Sequence, residues 1–294
     1  MANNENDSLG TSAEAAAGAA DISQDARGTK VAVGQFAPSL ETQENIAFVH
    51  DLVKAAAENG SKLIVLPEYS SACGGVLGPW VNEHAEELTG AFLTAMMSLC
   101  TEYDLAMVVG MLESNSSGKP FNSVVALDAH GIKGVYRKVH LYDAFGGSES
   151  EWVSPGNHLD DPIVVELAGM LVGLQTCYDI RFPEVSRRLV DAGAQVLAVP
   201  AQWVAGPKKA HHWVALTAAR AIENMCFVAA ADQTAPIAIG MSRIVSPWGE
   251  TLMDTGAEPG LAIAPVEVVH VDMARQANPA LAARKYNVAP ITPD

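Results

Sequence analysis

The chain has 294 residues, 49% of them hydrophobic, which is material for one large domain or two small ones with a sizeable core. Its formal net charge of -16 repels phosphate backbones and argues against nucleic-acid binding. The N-terminus lacks the basic and apolar regions of a secretory signal, and no apolar run approaches a membrane span. The four cysteines (Cys73, Cys100, Cys177, Cys226) form no CxxC pair, which points to free thiols in a reducing cytoplasm.

Residues 1–29 are rich in Ala, Gly, Ser, Asn and acids. They offer too little apolar surface to offset ordering entropy and read as a disordered tail. From Lys30 strands and helices alternate. Val31, Val33 and Gln35 share one side of a strand, and Ile46, Val49, Val53 and Ala56 repeat at helical spacing over 41–58. A short strand at 62–66 runs into Pro67-Glu68. A helix is expected over 83–102 and a strand over 104–112. Strands over 122–128 and 132–137 flank Ala129-His130-Gly131, a hairpin signal. The polar, Gly/Ser-rich stretch 142–158 is long for a connection, and such loops are usually functional.

Strands are expected at 162–167 and 170–177, the second ending on Cys177, with a helix over 183–192 behind it. A strand over 195–199 is stopped by Pro200. A helix over 210–225 and strands over 226–232, 238–246, 250–254 and 264–272 complete the pattern. Alternating strands and helices with interspersed hairpins predict an α/β fold with mixed sheets.

Three reactive groups stand just past three strands: Glu68, Lys138 and Cys177. Strand ends are where α/β sheets assemble their sites. A free thiol has a pKa of about 8.5, so it needs a base, and Glu68 can be that base. Lys138, helped by the Tyr178 backbone N–H, can stabilise the oxyanion formed by attack on an amide carbonyl. His211-His212 lacks the further ligands a zinc site needs. His140 reads as a hydrogen-bonded structural histidine, and Arg220 and Glu223 as a helical ion pair.

Pro67-Glu68, Tyr136-Arg137-Lys138-Val139-His140-Leu141 and Cys177-Tyr178-Asp179-Ile180-Arg181-Phe182-Pro183 resemble the three signatures of the nitrilase, or carbon–nitrogen hydrolase, superfamily. Ala219-Arg220-Ala221-Ile222-Glu223-Asn224 and Ser246-Pro247-Trp248-Gly249-Glu250 extend the resemblance, which covers residues 30–286 and leaves 287–294 as a C-terminal tail. It implies a four-layer αββα sandwich that pairs as a homodimer or higher homo-oligomer and works without cofactor or metal. It implies Glu68 as general base, Lys138 as oxyanion stabiliser, Cys177 as nucleophile, and a second glutamate that orients Lys138. Glu149 fits that position best, with Glu151 competing.

The sequence around Lys138 and Cys177 looks like the branch of small ω-amidases, which includes 2-oxoglutaramate and deaminated-glutathione amidases. Nitrilases usually carry Cys-Trp-Glu where this chain has Cys177-Tyr178-Asp179, and N-carbamoyl amino acid hydrolases often carry two arginines where it has only Arg181. The expected activity is therefore hydrolysis of a small carboxylated amide through a thioester. Nitrile hydrolysis, decarbamoylation and a non-catalytic scaffold are the rivals. Tyr178, Arg181 and Trp203 are the candidate substrate contacts. Arg181 is read either as a carboxylate holder or as half of a structural pair with an acid.

Overall fold

Apolar β-branched runs alternate with helical repeats, and the central runs, such as Leu63–Val65 and Ala106–Glu113, become strands buried on both faces. The computed structural model describes residues 28–116 and 118–292. The expected tail at 1–29 thus lies outside the described residues up to position 27, and Thr29 already belongs to the first strand.

Among the described residues, twelve strands form two six-stranded sheets. In chain order they are β1 (Thr29–Gln35), β2 (Leu63–Val65), β3 (Ala106–Glu113), β4 (Phe121–Asp128), β5 (Gly131–Arg137), β6 (Val164–Leu167), β7 (Met170–Leu174), β8 (Val196–Ala201), β9 (Phe227–Asp232), β10 (Arg243–Val245), β11 (Thr251–Asp254) and β12 (Gly260–Val266). The first sheet runs β12-β1-β2-β3-β4-β5 and the second β11-β10-β9-β8-β7-β6. Both are mixed in the same way: a parallel trio (β1-β2-β3, β7-β8-β9) has antiparallel strands on either side.

The sheets pack face to face, with Val31, Val33, Leu63 and Val65 of one meeting Val172, Leu174, Val196 and Ala198 of the other. Helices α1 (Thr42–Glu58) and α3 (Ala91–Tyr103) cover the outer face of the first sheet, burying Val49, Val53, Phe92 and Met96. Helices α4 (Pro183–Asp191) and α5 (Lys209–Asn224) cover the second through Leu189, Val190 and Trp213. This is the four-layer αββα sandwich. The remaining helices are α2 (Trp80–Glu83), α6 (Val268–Ala277) and α7 (Ala280–Ala283).

Four expected elements are corrected. The helix expected over 83–102 is split, because Glu86 pairs its backbone with the end of β3 (N–H to Leu112 O, 3.1 Å; O from Ser114 N–H, 2.8 Å) and its carboxylate accepts the Phe92 N–H that starts α3 (2.9 Å). The strand expected over 264–272 stops at Val266. Its partner β1 begins at Thr29, opposite Val266, so the valines beyond turn into α6 and bury Val271 and Ala274 one turn apart. The strand expected over 238–246 keeps only Arg243–Val245, because Gly240 and Met241 adopt left-handed backbone. Pro200 does not stop β8 but lies within it, opposite Ala231 of β9; its carbonyl accepts the Thr176 hydroxyl (2.7 Å).

Candidate active site

The site lies where both parallel trios end. Glu68 follows β2 and is 1% exposed. Its close seat depends on Gly110 of β3: a Cβ there would lie 2.5 Å from Glu68 Cα and 2.8 Å from Pro67 O. Lys138 follows β5, its backbone N–H still paired with Asn122 O of β4 (2.9 Å). Cys177 was expected at the end of a strand, but β7 ends at Leu174 and Cys177 opens a 3-10 turn over Cys177–Arg181. Its φ of +46° is left-handed, a conformation strained for a side chain bearing a Cβ and typical of functional sites. Asp179 holds this turn. Its carboxylate accepts from Tyr136 Oη (2.8 Å), Thr176 N (3.3 Å) and His140 Nδ1 (2.8 Å), so the segment after Lys138 and the turn of Cys177 share one buried anchor. The His140 ring also stacks on Phe182 at 3.7 Å.

Lys138 Nζ donates to Glu68 Oε1 (2.9 Å) and to Glu149 Oε2 (2.8 Å), and all three side chains are at most 2% exposed. Asn122 Nδ2 donates to both carboxylates, to Glu68 at 2.6 Å and Glu149 at 2.9 Å. Tyr69 Oη and the Tyr142 backbone N–H complete the Glu149 shell, each at 2.6 Å, and the Gln202 N–H reaches Glu68 Oε2 at 2.7 Å. The Cys177 thiol donates to Gln202 O at 3.5 Å. Glu151, the competing glutamate, is exposed.

The electrostatics follow from two carboxylates sharing one buried ammonium. Burial and then the Glu68 charge push the Cys177 thiol well above its ordinary range, with Lys138 pulling the other way, so the resting group is a thiol. Burial works against the charge on Lys138, but Glu149 and Glu68 outweigh it and hold the ammonium well above the usual lysine range. Burial likewise opposes the Glu149 carboxylate, yet Lys138 leads the contacts that bring its pKa below the ordinary value. A buried thiol beside a carboxylate and a fixed ammonium can attack a carbonyl only as it hands its proton to that carboxylate.

These groups open into a cavity of ≈ 390 Å³, also lined by Tyr142, Phe145, Tyr178, Trp203 and Lys209. Of the expected substrate contacts, Tyr178 and Trp203 line it and Arg181 does not. Among the described residues Arg181 pairs with no acid either: its guanidinium lies 4.7 Å from the Trp203 ring centre and 3.4 Å from His212 Nδ1. The predicted Arg220–Glu223 pair is present at 2.8 Å. Sequence reasoning missed Asn122, Tyr69, Tyr142, Gln202 and Lys209. Asn122 carries no spacing signal. Lys209 stands two residues before His211, in a segment weighed only for metal. Among the described residues no His/Cys/Asp/Glu group is arranged to hold a metal ion, and no helix is long and apolar enough to cross a membrane.

The family model for carbon-nitrogen hydrolases matches residues 30–276. The chain is 37% identical to a deaminated glutathione amidase of Escherichia coli, over 87% of this chain and 97% of that one. It is 30% identical to an omega-amidase of Xenopus tropicalis, over 88% and 96%. Among solved structures, the C. elegans NitFhit protein superposes with a TM-score of 0.81 at 26% identity, over 90% of this chain and 68% of that one. A variant of an amidase from Nesterenkonia sp. superposes with a TM-score of 0.74 at 26% identity, over 87% and 97%. It carries the acetamide moiety of fluoroacetamide on its active-site cysteine.

Proposed function

The chain belongs to the carbon–nitrogen hydrolase family and hydrolyses amides at non-peptide C–N bonds; from that premise we propose that it works through a Cys177 thioester on small, carboxylate-bearing amides. The observation that carries this reading is Lys138 held between two buried carboxylates in the cavity that Cys177 opens into.

In this mechanism Cys177 Sγ attacks the amide carbon and Glu68 takes the thiol proton. The oxyanion forms against Lys138 Nζ and the Tyr178 backbone N–H. Glu68 returns the proton to the nitrogen as the C–N bond breaks and ammonia leaves. Glu68 then takes a proton from water, the hydroxide attacks the thioester, and the carboxylic acid departs as the thiol is restored. Glu149 keeps Lys138 in place and faces the leaving nitrogen.

The test is ammonia release from a panel holding 2-oxoglutaramate, a nitrile and an N-carbamoyl amino acid. Fastest release is expected from the ω-amide, and preference for either other class would overturn the substrate assignment. Cys177→Ala should lower turnover by about 10⁴-fold or more, with no acyl adduct by intact mass, and full activity in that variant would sink the mechanism. The same reading takes 30–286 as one hydrolase domain between two short tails, working as a homodimer in the cytoplasm. Four free cysteines support the compartment, and exposed Ile222, Trp248 and Met253 support pairing. Sedimentation at micromolar concentration tests the dimer.

A further inference from the structure

Lys209 is the first residue of α5 and only 6% exposed. The positive end of a helix is an unfavourable place for a cation, and buried charges are ordinarily paired. Among the described residues no carboxylate pairs with Lys209, in a chain that carries 34 acids against 18 bases. Its ammonium uses one donor on Tyr142 Oη (2.7 Å) and faces the rings of Phe145 (4.5 Å), Tyr142 (4.7 Å) and Trp203 (5.5 Å). Trp203 Nε1 pins its backbone carbonyl at 2.9 Å. The ammonium is therefore fixed in place, walled by aromatics, and lines the same cavity as Cys177 with donors to spare.

We infer that Lys209 is the residue that recognises the substrate's distal carboxylate, so that the enzyme selects amides bearing an anion a few carbons from the scissile bond. This rests on the amidase reading of Cys177. Tyr142 sets the span: its backbone N–H is on Glu149 and its hydroxyl on Lys209, so the reacting end and the ammonium stand about one tyrosine side chain apart. The apolar rings lower the local dielectric and strengthen an ion pair formed among them. An incoming carboxylate supplies the counter-charge that the protein withholds. A neutral amide leaves it withheld, and sites with buried polar groups left unpaired discriminate strongly. Arg181 is not among the lining residues; its guanidinium packs on the rings of Trp203 (4.7 Å), Phe145 (5.6 Å) and Tyr178 (6.0 Å).

The test compares kcat/KM for glutaramate and for neutral pentanamide in the wild-type protein, Lys209→Met and Lys209→Arg. The wild-type protein should favour the anion, and Lys209→Met should lower the anion-to-neutral ratio by about 30-fold or more, mainly through the KM for glutaramate. Lys209→Arg should keep most of the ratio. Equal losses on both amides, or an unchanged ratio in Lys209→Met, overturn the assignment. If Lys209→Met fails to fold, the wild-type ratio decides, and a wild-type protein indifferent to the anion overturns it. Cys177→Ala separates the two readings. Turnover by that variant defeats the amidase mechanism, whereas Cys177-dependent turnover without anion preference defeats only the role of Lys209.

Discussion

At the polar end of the cavity Lys138 sits between Glu68 and Glu149; along the aromatic wall Lys209 sits among Tyr142, Phe145 and Trp203. Both lysines are buried, at 2% and 6% exposure, and both are held by hydrogen bonds. The difference is their counter-charge. Lys138 has two carboxylates, so its position is over-determined and its charge is locked in. Lys209 has the Tyr142 hydroxyl and three rings, Tyr142's own among them, which fix a direction but leave the charge uncompensated. A buried cation with its own anions can stabilise charge that develops during a reaction, because it need not reorganise. A buried cation without them is completed by a ligand.

The comparison predicts opposite outcomes for the same substitution. Lys138→Met leaves two buried carboxylates without a cation, so it should cost about 3–5 kcal/mol of stability and about 10²–10³ in kcat, read by urea unfolding and ammonia release. Lys209→Met removes a cation that has no internal counter-charge among the described residues and should leave the unfolding midpoint equal or higher. Similar destabilisation by both would break the distinction. Tyr142→Phe sharpens it: the backbone N–H to Glu149 remains while the hydroxyl acceptor on Lys209 is lost. It should raise KM for an anionic amide by about 5–10-fold with kcat little changed, and an equal fall in kcat would place Tyr142 in the chemistry instead.

Acid should reveal the same asymmetry. The folded pKa of Glu149 lies below its ordinary 4.5, so its contribution to stability is present above that value and is lost as pH falls through the folded pKa. The Lys138 pKa is raised above 10.5, so its contribution is complete below that pH and is lost only as pH rises through the folded value. Unfolding curves below pH 4.5 should therefore show the gap between the wild-type protein and Lys138→Met narrowing, and a constant gap would mean the pair does not titrate as described. The smallest effect belongs to Glu151, exposed in the same loop as Glu149: Glu151→Gln should change stability by less than about 0.5 kcal/mol and leave ammonia release near wild type.

Most strands and helices were legible because their apolar periodicity matches the faces they bury, as in α1, α5 and the β4-β5 hairpin. Two of the misread elements share one cause. The valines after Val266 have strand propensity but, among the described residues, no strand to pair with, and the segment around Glu86 has helical composition but a backbone pairing with β3. Pairing partners are supplied by distant chain, and local propensity yields to them.

By sequence alone the candidate reactive groups were legible: a thiol, a carboxylate and an ammonium just past three strands, in motifs specific enough to indicate the family and the fold. Only the tertiary structure decided how those charges are balanced. Glu149 rather than Glu151 meets Lys138, Asn122 bridges two carboxylates, and Lys209 rather than Arg181 faces the cavity. The physical reason is that whether a charge is paired depends on which groups the packed sheets and helices bring within a few ångströms. That neighbourhood is set by residues tens or hundreds of positions away, and sequence spacing does not contain it.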